Sequence, residues 1–189
     1  MTVIQVRIHG RGGQGVVTTA ELLALAAFLE NRHAQAFPTF GSERMGAPVA
    51  AFCRIDEREI RSHEPIARPD VLLIQDPTLL HQVDVFSGLH PEGAVFLNTT
   101  RAVDELGLRE LADRTHIITV AASALALEHL GRPMPGPPLL GAFAAVTGIV
   151  SLDAITAAIA ERFIGGAGLG NVAAATAAYE QERTHAQAA

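Results

Sequence analysis

A chain of 189 residues with 49% apolar and 18% charged residues is long enough to bury a core and too apolar to stay disordered. Its formal charge of −6 gives it no general attraction for nucleic acid or for anionic lipid. All 14 basic residues are arginine, which excludes a Schiff-base or P-loop lysine, and the single cysteine, Cys53, excludes an intrachain disulfide and a cysteine-ligated cluster or zinc site.

Val3–Ile8 alternates and is rich in β-branched residues, so it reads as a strand. The glycine-rich loop Gly10–Gly15 follows, then an Ala/Leu-rich helical segment over Val16–Glu30. Ala34–Phe37 reads as a second strand, stopped by Pro38. After the polar loop Thr39–Gly46, Val49–Ile55 reads as a third strand, with Glu59–Arg61 pairing to it as a short hairpin arm. Val71–Gln75 is an apolar run of strand length, and Asp76-Pro77 is the cap and first-turn proline of a short helix. Ala94–Leu97 and His116–Val120 are further strands, separated by an amphipathic helix over Asp104–Asp113. From Ala121 the pattern is helical, broken by a Gly131–Pro138 linker and by Gly165–Gly170. Ser151 reads as an N-cap, Pro135–Leu152 as a segment containing a buried helix, and Gln181–Ala189 as a fraying polar end. The first residues lack the charged and apolar regions of a signal peptide, and with one cysteine the expected setting is reducing and cytoplasmic, without membrane contact.

Strands alternating with helices imply an α/β fold: a single domain with a mostly parallel sheet, helices on both faces and a helical C-terminal part. In such sheets ligands sit at the carboxyl ends of strands, so the loops after Ile8, Phe37, Gln75 and Leu97 should gather at one edge. The loop Gly10-Arg11-Gly12-Gly13-Gln14-Gly15 has the spacing G-x-G-x-x-G between a strand and a helix. Glycines let the backbone turn tightly against a phosphate, and the helix start offers free N–H groups and a positive dipole end. A dinucleotide site also wants an acid near the end of the second strand; Phe37–Ser42 offers none, and Glu43 is deep in the next loop. The loop therefore points to a nucleotide-like ligand other than a standard dinucleotide.

Three blocks carry a family resemblance: His9–Gly15, Ala34–Pro38 and Phe40–Pro48. Glu64-Pro65, Asp76–Leu79, Asn98, Leu140–Ala142 and Asn171 continue it over nearly the whole chain. In these the chain resembles the gamma subunit of pyruvate:ferredoxin oxidoreductase and related 2-oxoacid oxidoreductases. The resemblance implies one gamma-type domain over residues 1–189 that helps bind coenzyme A and is not active alone. It implies that thiamine diphosphate, its Mg and the iron–sulfur clusters belong to partner subunits: thiamine-binding alpha and beta subunits and a ferredoxin-like cluster subunit. There a 2-oxoacid is decarboxylated, electrons pass to ferredoxin, or to NAD through a flavin subunit, and the acyl group is captured by CoA. Pyruvate is the default substrate; phenylglyoxylate, 2-oxoisovalerate and 2-oxoglutarate stand as alternatives. One departure is Gly136-Pro137-Pro138, which lacks the Asn that many relatives carry before the following Leu-Gly-Ala segment.

The expected CoA-binding residues are Arg11, Gly12, Gly13, Gln14, Gly15, Ser42, Glu43, Arg44 and Asn98, with no catalytic residue and no metal ligand. Each has a second reading. Arg11 and Gln14 either contact CoA or lock the loop to neighbouring segments. Glu43 and Arg44 either meet the ligand or form an intersubunit ion pair. Asn98 either reads base or ribose, or caps the segment after its strand. His9 is expected to be a hydrogen-bonded structural residue, Asp70, Asp76 and Asp84 caps, and Cys53 buried and inert. Two other classes compete with the ligand-binding subunit: a purely structural assembly subunit, and an independent nucleotide-binding oxidoreductase.

Overall fold

A computed structural model describes residues 3–39 and 45–188, the side chain of residue 188 excepted. Its six strands are β1 (Ile4–Arg11), β2 (His33–Pro38), β3 (Pro48–Asp56), β4 (Val71–Ile74), β5 (Ala94–Asn98) and β6 (His116–Val120). They form one sheet in the order β2-β3-β1-β4-β5-β6. β1, β4, β5 and β6 are parallel neighbours; β3 runs against both β1 and β2. Five of the six strands thus share a direction, and the carboxyl ends of β1, β2, β4 and β5 lie at one edge, as the alternation of strands and helices predicts.

Helix α1 (Val16–Leu29) follows β1, and the four-residue α2 (Arg109–Ala112) precedes β6. The helical C-terminal part is α3 (Ala122–Leu130), α4 (Gly136–Thr147), α5 (Leu152–Arg162) and α6 (Gly166–Ala188). The side chains of one sheet face, among them Ile8, Leu73, Phe96 and Ile118, join the apolar faces of α1 and α3–α6 in the main core. Leu72, Ile74, Val95 and Leu97 point to the other face, where they meet Leu79 and Val85 and are covered by short helices and turns. Pro137 and Pro138 sit in the first turn of α4, where a missing N–H costs nothing, so α4 starts inside the segment read as a linker. Ser151 caps α5 as expected, its hydroxyl accepting from the Ala154 amide at 3.1 Å.

Several elements differ from expectation, each for a local reason. β1 continues three residues past Ile8, because Gly10 and Arg11 pair with Val49 and Pro48. Glu59–Arg61 forms no strand; nearby carbonyls of Ser62 and Glu64 accept from the buried Arg54 guanidinium instead. The segment Asp104–Asp113 splits into a 3₁₀ turn, Val103–Leu106, and α2, because Gly107 adopts a left-handed conformation with φ of 70° between them. α6 begins at Gly166, so most of the glycine-rich segment lies within its first turns. At the other end the helix runs on to Ala188, with Glu182 buried and 3.5 Å from His185.

Candidate functional site

The glycine loop is a turn of four residues at the end of β1. Gly10 is still strand, and a Cβ there would lie 2.6 Å from Val16 Cγ2 and 3.0 Å from Gln75 Oε1. Gly13 and Gly15 have φ of 95° and 72°, conformations that side-chain-bearing residues rarely adopt. Gly15 is the N-cap of α1; no side chain caps this helix, and its first turn has no acidic residue. The first backbone bond of α1 runs from the Thr19 amide to the Gly15 carbonyl, at 2.9 Å. The amides of Val16, Val17 and Thr18 have no partner among the described residues, as expected at an uncapped helix start. These three residues line a cavity of about 300 Å³ together with Arg11, Gly12, Gly13, Gly15, Val49 and Met134.

A second segment straps this turn from outside. The Gly12 amide donates to the Ala47 carbonyl at 2.9 Å, and the Gly46 amide to the Gly12 carbonyl at 3.0 Å. The Met45 methyl lies over Gly13, 2.8 Å from where a Cβ would stand. Ser42, Glu43 and Arg44, expected at this edge, lie outside the described residues.

Asp76 holds the loop from the other side. One carboxylate oxygen accepts from Arg11 Nε at 3.0 Å and Gln14 Nε2 at 2.9 Å; the other accepts from the Thr78 amide and hydroxyl. Burial pushes this carboxyl up, but the bonds from Thr78 and Gln14 and the Arg11 charge outweigh burial and hold it below its ordinary value. The Arg11 guanidinium also donates to the Gly46 carbonyl, Thr78 Oγ1 and Gln82 Oε1. Gln14 Oε1 accepts from the Arg11 amide at 2.8 Å. In this arrangement Arg11 and Gln14 lock the loop to the turn after β4, and Arg11 also to Gly46, one of the two readings open to them from sequence.

Gln75, at the end of β4, ties three strands together. Its amide donates to the His9 carbonyl at 2.7 Å, its carbonyl accepts from Asn98 Nδ2 at 2.7 Å, and its Nε2 donates to Thr19 Oγ1 at 2.7 Å. Asn98 is therefore two strands from the glycine loop. Its Nδ2 also donates to Ser123 Oγ, and its Oδ1 accepts from the Ser123 amide at 2.9 Å, joining β5 to the start of α3 and not to the segment that follows β5. The structure brings Arg11, Gly12, Gly13, Gln14 and Gly15 together and leaves Asn98 outside the lining of that cavity.

His9 Nε2 accepts from Arg7 Nε at 3.0 Å. Burial, then the Arg7 charge, lower its pKa to about 4, so the ring is a neutral structural acceptor at neutral pH. Cys53 is fully buried and its thiol is pushed up to about 12 by burial. No group of three or more potential metal ligands exists among the described residues, nor a helix long and apolar enough to cross a membrane.

Sequence reasoning read Asp76 as a cap, which it is, but missed that it also fixes Arg11 and Gln14. It missed Gln75, whose place beside Gly10 follows only once β4 is known to pair with β1. Asn171 was singled out without a role; it lines a second cavity next to the loop.

The model of the pyruvate ferredoxin/flavodoxin oxidoreductase family matches residues 5–181. The gamma subunit common to the pyruvate and ketoisovalerate oxidoreductases of Pyrococcus furiosus is 48% identical over 179 residues, 95% of this chain and 97% of that one. The crystal structure of pyruvate oxidoreductase subunit PORC from Thermotoga maritima superposes with a TM-score of 0.80 at 34% identity, covering 95% of this chain and 97% of that one. A chain of the 2-oxoglutarate:ferredoxin oxidoreductase of Magnetococcus marinus, solved with 2-oxoglutarate, coenzyme A and succinyl-CoA, shares the fold. Its TM-score is 0.73 at 16% identity, over all of this chain and 32% of that one.

Proposed function

The chain belongs to the pyruvate ferredoxin/flavodoxin oxidoreductase family as a gamma-type subunit, and from that premise we propose that its glycine loop and the start of α1 hold a phosphate-bearing part of coenzyme A for a reaction completed on partner subunits. The observation that carries this reading is the start of α1: uncapped, free of acidic residues in its first turn, and open to a cavity of about 300 Å³. Three backbone N–H groups and the helix dipole meet there, which is the arrangement that binds phosphate without a lysine. The chain has no lysine, and Arg11 is already paired to Asp76, so backbone donors supply most of the attraction. Gly12, Gly13 and Gly15 add no side chains of their own to the lining, and Met134 forms one wall.

In this reading the chain binds and orients its cosubstrate, and the thiol of bound coenzyme A accepts the acyl group. Thiamine diphosphate with its Mg and the iron–sulfur clusters are held by alpha, beta and ferredoxin-like partner subunits, in the cytoplasm. Electrons leave to ferredoxin, or through a flavin subunit to NAD. The 2-oxoacid pocket lies on the partners, with pyruvate the default substrate.

Calorimetric titration of coenzyme A into the assembled complex tests this. Gly13→Val forces a β-branched residue into φ of 95° and against Met45, so coenzyme A affinity should fall at least tenfold, about 1.4 kcal/mol. Unchanged affinity and unchanged acyl-CoA formation would refute the assignment. A second reading, a loop that serves assembly alone, is favoured by the full commitment of Arg11 and Gln14 to protein partners. It predicts that Gly13→Val breaks assembly while the complexes that survive bind coenzyme A normally.

A further inference from the structure

Helix α6 packs on α4, whose residues Gly136–Ala144 are buried, and touches α3 and α5. Its inner face is Ala174, Ala175 and Ala178, all fully buried. The opposite stripe is Leu169, Ala173, Thr176 and Glu180, spaced i, i+4, i+7 and i+11. Leu169 is 75% exposed and Glu180 is exposed, while Ala173 and Thr176 are half-buried and take no part in the main core.

Two more large apolar side chains are exposed around the start of this helix. Ile164, in the turn before α6, is 92% exposed. Leu127 is 56% exposed on α3, two residues before His129, whose carbonyl meets α6 at Gly170. Apolar side chains gathered on a surface in this way favour burial against another protein surface, and small residues such as Ala173 let a second helix come close. The charges along α6 are uneven. No charged residue occurs from Gly166 to Tyr179, and Glu180 is the first. The first turn has no acidic residue, and the first backbone bond runs from the Leu169 amide to the Gly165 carbonyl. One end of the uncharged stretch is therefore a positive helix start, and the other carries an exposed carboxylate. Ala173 lies midway between Gly166 and Glu180, roughly 10 Å along the axis from each.

We propose that this face of α6 is the contact between two copies of this chain, with the two α6 helices packed antiparallel about a two-fold axis at Ala173. The helix is complementary to its own reversed copy. Turning a second α6 end for end about Ala173 sets each Glu180 beside the other copy's positive helix start. It also sets each Leu169 against the other copy's turn at Thr176, so an exposed apolar side chain meets a stripe of small residues. The two-fold axis makes each contact occur twice. The inference is independent of what the glycine loop binds.

The buried Cys53 makes a direct test simple, because a cysteine placed on α6 is then the one reactive thiol. A residue on the axis faces itself, so Ala173→Cys should form an interchain disulfide under mild oxidation with copper–phenanthroline. The covalent dimer should appear on a non-reducing gel both for the full chain alone and for the assembled complex. In analytical ultracentrifugation the parent chain should be a dimer at micromolar concentration. Leu169→Asp should be a monomer with an unchanged Tm, since the side chain it replaces is exposed. Glu180→Arg should weaken the dimer about fivefold, because the reversed charge meets a helix start twice. A monomeric parent, a dimer that withstands both variants, or no disulfide in the free chain overturns the proposal. So does Ala173→Cys that, in the assembled complex, is shielded from thiol reagents without forming the disulfide, which would give this face to a different subunit.

Discussion

Asp76 shows how one side chain can set a site it does not line. Its two oxygens receive four hydrogen bonds, from Arg11, Gln14 and both donors of Thr78. Asp76→Ala should lower stability to urea by about 2–4 kcal/mol, because it leaves Arg11 Nε and Gln14 Nε2 without their acceptor and removes the charge paired with Arg11. The carboxylate's pKa is lowered in the folded chain, so its contribution is in place above the ordinary value near 3.8 and is lost as the pH falls below it. His9 acts in a higher window. Its pKa falls from 6.5 to about 4 on folding, so the unfolded chain binds the extra proton first and stability declines as pH drops from 6.5 towards 4. His9→Gln keeps an acceptor for Arg7 and removes the titration. Urea midpoints should then stay flat across that window, whereas an unchanged pH slope would contradict the role given to His9. The glycines and the bare helix start of this site are legible in the sequence, since they are local features. The Asp76 contacts to Arg11 and Gln14 and the Gln75 contact to His9 are not: they join residues more than sixty positions apart and depend on which strands are neighbours.

At the scale of elements, the site depends on how closely helices approach. A Cβ at Gly141 in α4 would lie 1.9 Å from the Ala175 carbonyl oxygen in α6. Gly141→Val should cost about 3 kcal/mol or more. That is a fall in Tm of about 6–12 °C for a chain of this length. Gly148 ends α4 with φ of 60° and open space around it, so Gly148→Ala should cost only about 1 kcal/mol. A similar loss for both variants would contradict the close approach of α4 and α6. Strand alternation and capping residues made most elements readable, including β1, α1, the Asp76 turn and the Ser151 cap. The misreadings came where a local signal met a tertiary demand. The carbonyls after Glu59–Arg61 pair with Arg54 and not with a strand. The glycines of Gly166–Gly170 open α6 instead of breaking the chain, and a Cβ at Gly170 would lie 2.7 Å from the His129 carbonyl oxygen.

At the scale of the whole molecule, the sheet order places the ends of β1, β4 and β5 side by side. The main core behind them is filled by α1 and the C-terminal helices. Cys53 lies inside that core with its thiol raised to about 12, so thiol reagents should modify it only at the rate of global unfolding. Fast labelling in the native chain would contradict this burial. An edge with a bare helix start suits the proposed role, a subunit that presents a cosubstrate for chemistry on its partners. A cryo-EM map of the assembled complex with coenzyme A tests that claim most directly. The account predicts a phosphate within hydrogen-bond distance of the Val16, Val17 and Thr18 amides; coenzyme A bound in the complex with all its phosphates away from this helix start would contradict it.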